Sequence, residues 1–76
     1  MYPKSFHEKL KKSREDAGYT QQQVSDILNI GRSTIANYEV GRTEPDLETL
    51  SNLADFYCVS TDWLLGTKGG KDSQNK

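Results

Sequence analysis

The amino-acid sequence predicts an all-α domain of five short helices. Three observations carry that prediction. Apolar residues recur at three- and four-residue spacing and no β-branched run alternates with polar residues, so helices fit and strands do not. Residues able to cap a helix start precede most of the apolar stretches, at Ser5, Thr20, Asp46 and Ser60. Glycine or asparagine follows most of them, at Gly18, Asn29, Gly41 and Gly66, where a left-handed residue can end a helix.

In chain order, Ser5-Phe6-His7-Glu8 has the capping-box pattern, in which Ser5 accepts from the Glu8 amide while Glu8 reaches back. Phe6, Leu10 and Ala17 then supply one inward face, closed by Gly18. Thr20-Gln21-Gln22-Gln23 repeats the capping box, and Val24, Ile27 and Leu28 form the inner face of a helix about two turns long. Asn29 closes that helix, because asparagine tolerates the left-handed conformation better than most residues. Gly31 is an acceptable, weaker cap for the third helix, in which Ile35 and Tyr38 turn inward before Gly41 stops it. Pro45-Asp46 opens the fourth, with Leu47, Leu50, Leu53, Ala54 and Tyr57 inward. Ser60 caps a last short helix carrying Trp63, Leu64 and Leu65, which Gly66 ends. The expected layout is one domain over residues 1–66, with a disordered tail or linker over 67–76, where apolar residues are lacking.

Composition excludes several function classes. A chain of 76 residues forms one domain at most and buries only about 60% of the surface its unfolded form exposes. No stretch approaches the roughly 20 apolar residues of a membrane span, and the first twenty residues hold no apolar run of the signal-peptide kind. A soluble cytoplasmic protein is therefore expected. The single cysteine, Cys58, cannot form an internal disulfide, and with the single histidine, His7, it leaves a tetrahedral zinc site short of ligands. No nucleophile or orienting carboxylate is evident for His7, and the acid pairs Glu15/Asp16 and Glu44/Asp46 read as solvated charges. The expectation is a non-enzyme with no metal, no cofactor and no evident small-molecule ligand.

The charge is unevenly distributed. Residues 1–42 hold seven Lys/Arg against five Asp/Glu, a net of +2. Residues 43–65 hold no base and five acids, a net of −5, and the remainder returns +2, which gives the overall −1. With the acidic block turned away, the rest of the surface is free to meet phosphate. The second and third helices, joined by Asn29-Ile30-Gly31, form a helix-turn-helix over about residues 20–40. Such a pair places its second helix to enter a DNA major groove, or serves simply as architecture. Spacing alone does not choose.

The stretches Thr20–Gln23, "STI" and "YEVGR" in and after the third helix, "EPDLETL" and "VSTDWLLG" choose, since together they resemble the Cro/repressor-type (XRE) helix-turn-helix family of bacterial and phage transcription regulators. The resemblance covers roughly Phe6 to Gly66. It implies a five-helix lambda-repressor-like DNA-binding domain, and a sequence-specific regulator that binds a palindromic operator as a homodimer, most simply a prophage-type repressor. It also implies roles. Arg32, Ser33 and Asn37, with Ala36 alongside, match the family's base-contacting positions. Arg32 can donate two bonds to guanine, Asn37 can pair bidentately with adenine, and Ala36 can touch a thymine methyl. A phosphate contact is the alternative for Arg32. Thr20, Gln21 and Gln22 at one helix start, with Arg42 and Thr43 beyond the third helix, match backbone-gripping positions. Tyr38 has either a phosphate contact or a core role. Arg14 and Glu39 correspond to a family ion pair. Trp63, Leu64 and Leu65 are candidates for a dimer surface or for core packing; the expected split puts Leu64 in the core and Trp63 or Leu65 partly at an interface between copies.

The sequence departs from the family pattern in places. Ser25 stands where alanine is usual, Asn29 and Cys58 where glycine is common, and Gly31 where Ser or Thr often caps. Cys58 should be strained if its backbone is left-handed. Two other readings stand beside the regulator: a module that docks a protein, such as an antitoxin or an anti-repressor partner, and the DNA-binding fragment of a longer phage-type repressor.

Overall fold

A computed structural model describes residues 2–66. Five helices follow one another: α1 Phe6–Asp16, α2 Gln21–Leu28, α3 Arg32–Val40, α4 Leu47–Tyr57 and α5 Thr61–Leu65. No strand occurs among the described residues, and none of these helices is long and apolar enough to cross a membrane. The tail expected from Thr67 lies outside them.

Three of the starts are chemically defined. Thr20 Oγ1 accepts from the Gln23 amide at 3.0 Å while Gln23 Oε1 accepts from the Thr20 amide at 2.8 Å, a complete capping box. Asp46 Oδ1 accepts from the Thr49 amide at 2.8 Å, and Ser60 Oγ from the Trp63 amide at 3.0 Å. The fourth expected cap does not form. The Phe6 amide already donates to the Pro3 carbonyl, so the chain is turning before Ser5, which has φ −78° and ψ −6°. A capping hydroxyl needs extended backbone at its own residue to swing over the following amides, and Ser5 lacks it.

One small core unites the helices. Phe6 and Leu10 from α1, Val24 from α2 and Ile35 from α3 meet Leu50, Leu53, Ala54 and Tyr57 of α4 and Leu64 of α5, all buried. α3 packs on α1 and α2, while α5 packs on α1 and α4. Burying a Leu, Ile, Val or Phe side chain contributes about 1.5–3 kcal/mol. Every helix is thus tied to the others by at least one such residue.

Three apolar residues expected inside are outside. Ala17 lies past the end of α1, whose buried stripe finishes on Ser13 and Arg14, and it lines an open groove with Val59 and Trp63. Ile27 is 55% exposed because α2 is so short that Val24, with Leu28 half-buried behind it, makes the whole inward contact. Leu47 is 76% exposed, since it opens α4 ahead of the buried stripe that begins at Leu50.

Candidate nucleic-acid interface

α2 and α3 are joined by a turn that backbone chemistry dictates. Asn29 adopts φ 59° and ψ 43°, its amide donating to the Ser25 carbonyl, and the Ile30 amide joins the same acceptor at 3.2 Å. Gly31 then opens α3 in extended backbone and its carbonyl accepts from Ile35 at 3.1 Å. Having no side chain, Gly31 caps none of the amides in the first turn of α3. Helical geometry leaves those N–H groups without partners inside the helix, on its positive end.

Arg32, Ser33, Ala36 and Asn37 sit at positions that share one face of α3. Arg32 and Ser33 are exposed; Ala36 and Asn37 are half-buried. The side chains of Arg32, Ser33 and Asn37 have no hydrogen-bond or ion-pair partner among the described residues. Their donors and acceptors are available to an outside ligand. The carbonyl of Asn37 is heavily used, taking the amides of Gly41, of Arg42 at 2.9 Å and of Thr43 at 3.5 Å. That wraps the chain tightly at the end of α3 and presents Arg42 and Thr43 outward, both exposed.

At the start of α2, two side chains are engaged within the fold. The Gln21 amide nitrogen donates to Glu39 Oε1 at 3.0 Å, and that of Gln22 to Asp26 Oδ1 at 2.9 Å. Thr20 spends its hydroxyl on the cap. What this helix start offers to an anion is therefore chiefly the backbone amides of Gln21 and Gln22, which precede the first intrahelical bond. Tyr38 is half-buried, and burial raises its hydroxyl above the usual phenol range, with the nearby Asp46 carboxylate and Tyr2 adding to it.

A buried charged group braces the two helices. Arg14 Nε lies 2.8 Å from Glu39 Oε2, its Nη2 lies 3.1 Å from Oε1, and its Nη1 donates to the Tyr19 carbonyl at 2.7 Å. With Gln21 also on Glu39, this network links the last turn of α1, the following loop, the first residue of α2 and the last turn of α3. Arg14 is 9% exposed and Glu39 4%. The hydrogen bond to Glu39 raises the Arg14 pKa against the opposing cost of burial. Tyr57 lies within electrostatic reach of both charges, and its hydroxyl is buried with no hydrogen-bond partner among the described residues. Burial, then the Glu39 carboxylate, pushes that phenol up to about 12. No spacing in the sequence marks Gln21 as a partner of Glu39, because the two are 18 residues apart and meet only when α2 and α3 pack.

Away from this face, Trp63 is 42% exposed and Leu65 half-buried, while Leu64 is wholly inside. Lys9 Nζ donates to the Trp63 carbonyl at 3.0 Å and stands 5.3 Å from the centre of its ring. The exposed indole is thereby held in place.

Comparison with known proteins decides what this arrangement is. A family model described as helix-turn-helix matches residues 10–64. The chain belongs to the helix-turn-helix family, of the Cro/repressor (XRE) type. It is 47% identical over 62 residues to the HTH-type transcriptional regulator ImmR of Bacillus subtilis, covering 82% of this chain and 49% of that one. It is 50% identical over 60 residues to the SPbeta prophage-derived HTH-type regulator YonR of the same organism, covering 79% and 56%. It is 35% identical over 54 residues to the cryptic phage CTXphi transcriptional repressor RstR of Vibrio cholerae, covering 71% and 49%. The chain spans about half the length of the curated relatives it matches. The matched span takes in α2, α3 and the turn between them, together with the Arg14–Glu39 brace.

Proposed function

We propose that this chain carries the sequence-specific DNA-binding function of a transcriptional regulator, a repressor of prophage type that reads a palindromic operator as a homodimer. One observation supports this above the others. Arg32, Ser33 and Asn37 stand on one face of α3 with no internal partner. They are the side-chain types that discriminate guanine and adenine edges in the major groove. The surrounding groups have the complementary task. The amides opening α2, with Arg42, Thr43 and the Tyr38 hydroxyl around the end of α3, hold phosphates on either side in this reading. Repression is the output named for the phage relative, and the regulator class is shared by the two Bacillus subtilis relatives. In the dimer, the exposed edge of Trp63 with Leu65 forms the contact between copies. The family's activity is binding rather than catalysis.

Selection from a pool of random duplexes tests the reading. The expected outcome is a palindromic motif with half-sites about 34 Å apart. Asn37→Ala then relaxes preference at one base position, by about 1–3 kcal/mol of discrimination, and leaves the other positions unchanged. Enrichment of no motif, together with binding indifferent to salt, rejects it.

A further inference from the structure

The recess where the N-terminal segment meets the end of α3 brings Lys4 and His7 together with Tyr38 and Thr43, the two groups already proposed to meet phosphate. It has a volume of about 190 Å³ and is lined by Lys4, His7, Tyr38, Gly41, Thr43 and Glu44, among others. The imidazole of His7 lies against the end of α3, so close that a Cβ on Gly41 would stand 3.3 Å from Nδ1. Tyr2 pins the segment from the other side. Its hydroxyl donates to the Pro45 carbonyl at 2.6 Å, its amide donates to Glu44 Oε2 at 3.1 Å, and its ring packs 4.7 Å from that of Phe6. The segment is thus fixed in place, while the polar groups it carries into the recess remain unused. Lys4 and His7 have no hydrogen-bond or ion-pair partner among the described residues, and the Thr43 side chain has none either.

We propose that this recess is a further phosphate seat for DNA, in which Lys4 and His7 grip the backbone strand at the far end of α3 with Thr43 and the Tyr38 hydroxyl. The inference rests on the DNA-binding reading and extends it to residues before the helix-turn-helix. Helix length supports it. Nine residues span about 13 Å, and the major groove is about 12 Å wide, so a helix whose first residues meet base edges ends against the sugar-phosphate wall. The end of a helix carries negative partial charge, which by itself repels a phosphate. Here the Asn37 carbonyl is occupied by three amides, and Lys4 brings positive charge to the seat beside the His7 imidazole.

Protonation enters because imidazole titrates near neutral pH. The charged and titratable groups lining the recess with His7 are Tyr2, Lys4, Tyr38 and Glu44; Lys11 follows one helical turn on along α1 and Arg42 adjoins Gly41 in the chain. A phosphate arriving there favours the imidazolium, so binding takes up a proton. Each proton linked in this way tightens binding as the pH falls.

The test uses the whole chain and the duplex recovered by selection. Affinity is measured against pH and salt for the wild type, His7→Gln and Lys4→Gln, with each variant's melting confirmed first. The wild type is expected to tighten as the pH falls from 8 to 6, and His7→Gln to lose that gain. Lys4→Gln should reduce the slope of log affinity against log salt by about 0.9 in magnitude per seat. His7 is the chain's one histidine, so a single imidazole resonance follows it directly. That resonance should move when duplex is added and stay put with inorganic phosphate at the same concentration. A wild type that binds duplex while His7→Gln keeps its pH profile and Lys4→Gln its salt slope overturns the seat alone. A wild type that binds no duplex at any pH overturns the seat and the DNA-binding reading together.

Discussion

Arg14 is the residue on which the orientation of α3 most depends, because its guanidinium occupies Glu39 and the Tyr19 carbonyl together. Replacing it by alanine leaves a buried carboxylate with only the Gln21 amide. Stranding one partner of a buried ion pair costs about 3–5 kcal/mol. Arg14→Ala should therefore lower the melting temperature steeply and weaken DNA binding with it; unchanged melting would show that the pair holds nothing together. Tyr57 makes the opposite prediction. A buried hydroxyl without a partner costs about 1–3 kcal/mol, so Tyr57→Phe should raise stability by about 1 kcal/mol in denaturant unfolding at neutral pH. The phenol's ionisation adds a pH signature. Its folded pKa, about 12, exceeds the ordinary 10.0, so the folded state resists deprotonation. The resulting stability is fully present below pH 10 and is lost as pH rises through about 12, some 2–3 kcal/mol in all. Tyr57→Phe should remove most of that alkaline loss, measured as the difference in unfolding free energy between pH 9 and pH 11.5.

Among the helices, the starts were legible and the faces less so. Thr20 and Gln23, Asp46, and Ser60 announce their caps because an oxygen-bearing side chain three residues from an amide is a local fact. Ser5 shows the limit of the same pattern. A turn set by Pro3 one step earlier takes Ser5 out of the extended conformation, and the hydroxyl has nothing to cap. Ile27 and Leu47 fit the apolar spacing of their helices, yet spacing cannot say where a core of nine buried apolar residues runs out. Helix ends were legible with one open question, and Cys58 answers it. Its φ is 60° and ψ 41°, so it ends α4 in the left-handed region with a Cβ in place. The Val59 amide still donates to the Ala54 carbonyl at 2.9 Å, which holds the turn in spite of the strain. Cys58→Gly should stabilise the fold by about 0.5–1 kcal/mol, the relief of strain less the greater flexibility of unfolded glycine. A lower denaturation midpoint in that variant would refute the strain.

For the whole molecule, the charge layout becomes intelligible. The five acids of residues 43–65 lie on α4, on α5 and in the segments around them, and the unpartnered donors of α3 belong to the half of the chain with a net of +2. Few positive groups attend each copy, so one copy alone should bind weakly. A dimer on two half-sites doubles the neutralised phosphates, and the salt slope should double with it, since each contributes about −0.9. Measuring that slope on duplexes with one and two half-sites checks the prediction. Trp63→Ala should return the two-site slope to the one-site value without altering the helical fold; an unchanged slope would place the contact between copies elsewhere. By itself the sequence determined the helices, their caps and stops, the turn at Asn29-Ile30-Gly31 and the identity of the outward residues of α3. Those depend on spacing and backbone conformation within a few residues. Only the tertiary structure decided that Gln21 is tied to Glu39, that the Tyr57 hydroxyl is stranded beside the Arg14–Glu39 pair, and that His7 lies against the end of α3. Each of these joins residues far apart in the chain, and contacts of that kind exist only once the core has brought the helices together.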